Sequence, residues 1–248
     1  MKLTFDQAAL AAFTLALVRS TVWVFVVVPF SLRAVPQVVK LGLAASLALV
    51  AAPSIDHSMI PTDLGGFIIA ALMQAMIGFA LAFLIVVLFS AVQAAGGLID
   101  DFAGFNLAAM LDPMADTNNG PFGRLYQLVA ITLLFATNLY LVLVKGFLKS
   151  FTAIQGVHLA DVLRLLMHDL DTFLISALEI AGPVLAVLFL TEVALGLLAR
   201  TAPAMNIFAL AFPIRITIAL VATSVTLPFV LPAVENLVTT GVRQVLAL

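Results

Sequence analysis

Four charged residues lie inside otherwise apolar stretches of this chain and are its first candidates for chemistry: Arg19, Glu179, Glu192 and Arg215. Such groups cost about 2.5–3.5 kcal/mol each in lipid on insertion scales, so they must face protein, water or one another. A proton or ion relay is one interpretation, and structural ion pairing between helices is the other. We favour ion pairing, because no convincing internal repeat with paired broken helices, the pattern of secondary transporters, is visible.

Motifs of enzyme chemistry are missing from the sequence. It contains no HExxH zinc motif, no GxSxG nucleophile turn and no GxxxxGK[ST] phosphate-binding loop. His158 with Asp161, and His168 with Asp171, have the spacing of metal-ligand pairs. A histidine beside an aspartate in a polar loop is, however, more often solvated or capping a helix than binding a metal. The sequence therefore predicts no enzyme, no metal and no cofactor.

The composition is that of an integral membrane protein. Of 248 residues, 64% are hydrophobic and 10% are charged, whereas soluble domains carry about 25% charged residues. No charged residue lies between Asp63 and Asp100, a gap much longer than the ~20 apolar residues that span a bilayer. The net charge of −2 and the scattered basic residues argue against nucleic acid as a partner. The expected surroundings are membrane lipid and other helices.

The elements that position these charges must be helices, because unpaired backbone is too costly in lipid. Prolines inside the apolar stretches, such as Pro183 and Pro228, predict kinks. The predicted fold is therefore all-α and polytopic, with about six long, kinked helices arranged as hairpins in a single domain, residues 1–248. The predicted segments are Phe5 to Val28, Gln37 to Ala52, Leu64 to Ala95, Leu125 to Phe147, Thr172 to Leu198 and Ile207 to Leu231.

Two irregular regions interrupt the apolar segments. The first, Gly96 to Arg124, contains glycines and strong turn signals but is too apolar for a solvated linker. It is either a plug folded into a pore or a re-entrant loop that fills space between helices. The second, Ala199 to Ile216, contains Pro203 and Pro213 and is interpreted as the bend of a helical hairpin.

These two regions together resemble the FliR family, the flagellar biosynthetic proteins of the type III export apparatus, whose injectisome relatives are called SctT. The most specific match is EVALGLLARTAPAMNIFALAFPIRI, from Glu192 to Ile216, and the second is the region Gly96 to Arg124. The chain departs from the family mildly: Gln is common where Ala204 stands, Gly where Ala211 stands, and Lys where Arg215 stands.

The resemblance implies a non-enzymatic subunit of the protein export gate in the bacterial inner membrane, at the flagellar basal body. Its partners would be FliP-type and FliQ-type subunits, which enclose the channel with it, FlhB-type and FlhA-type export proteins, and unfolded flagellar substrates in transit. We favour the flagellar branch over the injectisome branch. The alternative of a different class is a secondary transporter that uses Glu179, Glu192 or Arg215.

The resemblance also implies that the loop after the third segment, about Asn106 to Phe122, is the pore plug. Flexible apolar side chains such as Met110, Met114 and Phe105 could seal it, because they adapt to a moving surface. The residues assigned to the plug are Gly104, Phe105, Asn106, Met110, Asp112, Pro113 and Met114.

The hairpin region is assigned to structural contacts and to the subunit interface. Arg200 and Arg215 are expected to bind freed carbonyl groups or an acidic partner such as Glu192, and Asn206 to cap the helix that begins at Ile207. The residues assigned to this interface are Glu192, Gly196, Arg200, Pro203, Asn206, Phe212, Pro213 and Arg215.

Overall fold

A computed structural model describes residues 7–32, 35–56, 60–105, 120–153, 159–201 and 207–246, without the side chains of 159–173, 207–209, 241 and 244–246. Within these ranges the chain forms α-helices and one short 3-10 turn, and no strand. The prediction of an all-α fold is confirmed. The elements are α1 (Gln7–Val26), α2 (Gln37–Ala51), the turn Ala52–Ser54, α3 (Leu64–Ala103), α4 (Pro121–Ala136), α5 (Leu139–Ala153), α6 (Leu159–Thr201) and α7 (Ile207–Leu246).

The helices are long and apolar enough to cross a membrane repeatedly. Five of the described helices qualify alone, and the number rises to six if α4 and α5 together form one broken span. The prediction of a polytopic membrane protein is therefore confirmed. Helix α3 has 40 residues, about 60 Å at 1.5 Å per residue, which is twice the ~30 Å of a bilayer core. It must tilt steeply or extend beyond the hydrocarbon region.

The helix ends differ from several sequence predictions. Helix α3 continues past Ala95 to Ala103, so the irregular region that we predicted from Gly96 onward begins only after α3. The segment predicted as continuous from Leu125 to Phe147 is two helices, α4 and α5, separated at Thr137 and Asn138. Asn138 has a φ of 58°, a left-handed conformation that asparagine tolerates better than most residues. That conformation ends α4, and periodicity alone does not reveal it.

Helices α6 and α7 extend well beyond the predicted segments, to 43 and 40 residues. Pro183 lies inside α6, and α7 continues through Pro213, Pro228 and Pro232. Prolines in membrane helices are tolerated because neighbouring groups satisfy the backbone carbonyls that they leave free. Within α7, the hydroxyl of Thr217 donates to the carbonyl oxygen of Pro213, four residues earlier, at 2.8 Å.

The chain divides into two compact units that are each discontinuous in sequence. Unit 1 is Met1–Leu88, Asn138–Leu170 and Leu237–Leu248, and unit 2 is Phe89–Thr137 and Asp171–Asn236. In unit 1, α1 packs on α2, and α2 packs on α5. Trp23 stacks on Phe147 there, with ring centroids 4.5 Å apart. A single domain over residues 1–248 stays a prediction.

In unit 2, α6 buries one narrow face and exposes the other. The buried positions follow one another at intervals of three and four residues, which places them on one side of a helix. The opposite side carries large exposed apolar side chains, among them Leu174, Leu190 and Leu197. This is the pattern of a helix that packs on its own unit along one stripe and meets lipid or another subunit along the rest. The buried stripe is Ala177, Ala181, Val184, Leu188, Thr191 and Leu195.

Candidate functional site

The first candidate site is an ion pair between the two longest helices of the C-terminal half. Arg215 of α7 places its Nη2 atom 2.6 Å from Oε1 of Glu192 on α6, and 2.5 Å from Oε2. The Glu192 side chain is 55% exposed and that of Arg215 is 24% exposed. The structure thus brings together the two charges that the sequence analysis proposed as partners, within unit 2. The Nε atom of Arg215 is buried and has no hydrogen-bond partner among the described residues.

The other residues of the predicted hairpin motif are spread along the two helices. Gly196 and Arg200 are exposed in the last turns of α6, and Phe212 and Pro213 are exposed in the first turns of α7. A Cβ atom added at Gly196 would meet open space. Pro203 and Asn206 lie outside the described residues, so the predicted cap by Asn206 stays a prediction.

The second candidate site is the junction between α3 and α4, where the predicted plug loop begins and ends. Gly104 follows the last residue of α3 with a φ of 88°, in the left-handed region that glycine adopts without strain. Its N–H donates to the carbonyl oxygen of Asp100 at 3.1 Å, and the N–H of Phe105 donates to the same oxygen at 3.0 Å. This Schellman-type ending satisfies carbonyl groups that the last helical turn would leave unpaired. Gly104 therefore ends α3.

Asp100 also reaches the beginning of α4 through its side chain. Its Oδ1 atom accepts the N–H of Phe122 at 3.0 Å, and its Oδ2 atom accepts the N–H of Gly123 at 2.8 Å. The first N–H groups of a helix have no partner within the helix and lie at the positive end of its dipole, so a carboxylate is well placed there. Asp100 is only 1% exposed. One residue thus ends α3 with its backbone and caps α4 with its carboxylate.

Glycines make this close approach possible. A Cβ atom added at Gly96 would overlap the carbonyl oxygen of Phe122 and come too close to Cα of Gly123. A Cβ atom added at Gly120 would overlap the Asp100 carboxylate. Neither helix could approach the other to this distance with a side chain at those positions.

Phe105 connects the junction to the hairpin motif. Its ring lies edge-on to Phe122 at a centroid distance of 5.9 Å and edge-on to Phe212 of α7 at 6.3 Å. Aromatic pairs in this arrangement contribute about 0.5–1.5 kcal/mol beyond their buried area. The start of the predicted loop is therefore packed against α4 and α7 within unit 2. Five predicted loop residues lie outside the described part of the chain: Asn106, Met110, Asp112, Pro113 and Met114.

The third polar site is Arg19, which is 2% exposed in unit 1. Its Nε donates to Oε1 of Gln74 on α3 at 2.6 Å, and its Nη1 donates to Oγ of Ser150 on α5 at 3.2 Å. The guanidinium lies 4.2 Å from the ring centroid of Phe151. We expected an ion pair here, but the described partners are neutral side chains and an aromatic face. Cation–π contact and two hydrogen bonds take the place of a carboxylate.

The two histidine–aspartate pairs that have metal-ligand spacing lie where side chains are not described. His158 lies outside the described residues, and Asp161, His168 and Asp171 are in a part of α6 for which only the backbone is described. Among the described side chains, no three acidic, histidine or cysteine residues cluster as metal ligands. The absence of a metal stays a prediction.

Sequence reasoning missed the role of Asp100, which we treated as the end of an apolar run. It also missed Gly96 and Gly120 as contact positions. A usable signal existed, because a Gly-Pro pair at a helix start offers no side chain to cap it. Such a helix needs an acceptor from elsewhere in the chain.

Long apolar helices, a buried arginine and a paired Glu192 and Arg215 define a polytopic α-helical membrane protein with polar sites inside its helical units. Residues 10–241 match the model of the family described as bacterial export proteins, family 1. The chain belongs to this family, and its resemblance to the FliR group is confirmed.

Individual relatives agree with this assignment. The chain is 28% identical to the flagellar biosynthetic protein FliR of Bacillus subtilis (strain 168), over 91% of this chain and 89% of the relative. It is 30% identical to FliR of Escherichia coli (strain K12), over 83% of this chain and 80% of the relative. It is also 28% identical to the Yop proteins translocation protein T of Yersinia pestis, over 72% of this chain and 70% of the relative.

Proposed function

We propose that this chain forms part of the wall of the channel through which unfolded flagellar proteins are exported. As a member of its family it is a subunit of the type III export gate. The observation that carries the proposal is the family match over residues 10–241, which includes both irregular regions. We place the gate in the inner membrane, at the flagellar basal body, and we propose no enzymatic step for this subunit.

The exposed ion pair supports a position among other subunits. Glu192 and Arg215 lie within the candidate spans Leu174–Thr201 and Leu210–Thr240, yet the Glu192 carboxylate is more than half exposed. A charge at that depth is costly against lipid, so neighbouring protein or channel water must cover it. We propose FliP-type and FliQ-type subunits as the neighbours, with FlhB-type and FlhA-type export proteins as further partners.

The flagellar assignment is favoured over the injectisome assignment. The FliR relatives of Bacillus subtilis and Escherichia coli share similarity over more of the chain than the Yop proteins translocation protein T does. The injectisome relative is also 28% identical to this chain. The alternative proposal is therefore that the chain belongs to the export gate of an injectisome.

The connection between α3 and α4 is the proposed plug. Support comes from its two ends, which are fixed to one another: Phe105 and Phe122 are in ring contact, and Asp100 binds both sides of the junction. Phe122 belongs to α4 and is buried, so the proposed plug is shorter than the predicted range Asn106 to Phe122 and comprises residues 106–119.

Native mass measurement after co-purification in mild detergent tests the gate assignment. The chain, 26.2 kDa alone, should appear in an assembly with other export subunits. Glu192→Gln removes the charge that pairs with Arg215 and should reduce the assembled fraction about two- to fivefold, as expected for a half-exposed pair worth about 1 kcal/mol or less. The control is Arg243→Gln, an exposed charge on α7 that lies outside the candidate spans.

Two outcomes would contradict the assignment. A lone monomer with transport activity would show that the chain is not a gate subunit. Loss of transport in Glu192→Gln with assembly at the wild-type level would favour the secondary transporter.

Replacement of residues 106–119 by an equally long Gly and Ser segment tests the plug. We expect ion conductance through the assembled gate to rise about tenfold or more, which corresponds to a shift of the closed state by about 1.4 kcal/mol. The matched control replaces residues 154–158, the connection between α5 and α6, in the same way. Equal conductance in the wild type and the 106–119 variant would exclude the plug.

A further inference from the structure

We propose that Asp100 is the positioning residue of the gate: it closes the first turn of α4 onto the last turn of α3 and so fixes both ends of segment 106–119. The role rests on the proposed plug function, since it concerns how the plug is held. Four backbone N–H groups converge on this one residue, two at its carbonyl oxygen and two at its carboxylate.

The arrangement is unusual for a helix start. The residue that precedes a helix normally supplies the capping side chain, but in α4 that residue is Gly120, which has none. The cap comes instead from a residue 22 positions before Phe122. Gly120 must stay without a side chain, because a Cβ atom there would occupy the space of the carboxylate. Glycine and aspartate are thus complementary parts of one contact.

Burial makes the contact strong. Asp100 is almost completely inaccessible, and a buried carboxylate is tolerated only when charge-assisted hydrogen bonds satisfy it. Its neighbour Asp101 is exposed. If the carboxylate is lost, the N–H groups of Phe122 and Gly123 remain in the same confined place without their acceptor. Each hydrogen bond to a charged group shifts the equilibrium between the formed and the broken contact by a factor of about ten or more.

The first variant to examine is Asp100→Asn in the assembled gate, with Asp101→Asn as the matched control. Asparagine keeps the shape but replaces one acceptor oxygen by a donor, so one N–H group loses its partner. We expect amide hydrogen exchange of the peptide that contains Phe122 and Gly123 to become about tenfold faster. We expect ion conductance to rise as well, with the amount of assembled gate unchanged. Asp101→Asn should change neither measurement.

A covalent substitute distinguishes positioning from a general loss of stability. The chain contains no cysteine, and a Cβ atom at position 120 would touch Cγ of Asp100. Sulfur atoms at positions 100 and 120 are therefore within reach of a disulfide. In the double variant Asp100→Cys, Gly120→Cys, the reduced gate should leak like Asp100→Asn. Oxidation should return the conductance to the wild-type level.

The outcomes separate this proposal from the plug itself. If replacement of 106–119 raises conductance but Asp100→Asn changes neither exchange nor conductance, the positioning role is wrong and the plug stands. If exchange accelerates in Asp100→Asn while neither variant changes conductance, the plug is wrong, and Asp100 is only a helix cap. Equal conductance of the reduced and oxidised double variant would also overturn the positioning role. This comparison can be made even if Asp100→Asn fails to assemble.

Discussion

Gly96→Val is expected to prevent normal packing of α3 against α4. The new side chain would collide with the Phe122 carbonyl oxygen and with Cα of Gly123, which are backbone atoms that cannot rotate away. Overpacking of this kind costs about 1–3 kcal/mol and more where backbone must move. We expect a clear loss of thermal stability in detergent and a large drop in the yield of assembled gate.

The adjacent glycine provides the control for this substitution. A Cβ atom at Gly97 has no heavy atom within 4 Å, although the residue is next to Gly96 in the same helix. Gly97→Val should be tolerated, within about 0.5 kcal/mol, because valine forms helix somewhat better than glycine. Equal effects of the two substitutions would show that α3 and α4 do not approach one another as described.

Arg19→Ala is expected to cause the second large loss of stability, in unit 1. The substitution removes a side chain of α1 that contacts α3 and α5. The side-chain oxygen of Gln74 then loses the charged group that donates a hydrogen bond to it. A cavity of this kind together with two lost hydrogen bonds costs about 3 kcal/mol or more. Thermal unfolding in detergent measures the effect. Lys149→Ala, an exposed residue beside Ser150, should change stability by less than about 0.5 kcal/mol.

Arg19→Met separates volume from charge. Methionine fills much of the same space but forms neither the hydrogen bond to Gln74 nor the cation–π contact with Phe151. Because methionine leaves a smaller cavity than alanine does, Arg19→Met should be less destabilising than Arg19→Ala. If Arg19→Met is as harmful as Arg19→Ala, the polar contacts of the guanidinium dominate over its packing.

Helical class and membrane location could be predicted from the sequence, because lipid allows few backbone structures and the apolar runs are long. The pairing of Glu192 with Arg215 was also predictable. Both are costly in lipid, and the prolines between them indicate a bend that brings their helices side by side. These predictions depend on amino-acid composition and on helix-breaking prolines, both of which can be read from the sequence.

Helix ends and close contacts were not predictable in the same way. The burial of Asp100 depends on how near α4 comes, and that distance depends on glycines at positions 96 and 120 acting from different helices. The break at Asn138 depends on one backbone angle. Arg19 was expected to meet a carboxylate, but its partners are set by the packing of three helices. Such features are properties of pairs of distant residues and leave no periodic pattern.

The shared anchor at Asp100 has a consequence for how the family can vary. Because hydrogen bonds from Gly104, Phe105, Phe122 and Gly123 all end on one residue, the entropy of bringing the ends of the intervening loop together is already offset by the anchor. Doubling the length of a flexible loop with fixed ends adds only about 0.6 kcal/mol. A longer or shorter segment 106–119 should therefore cost little stability, while the contacts that join α3 to α4 stay as they are.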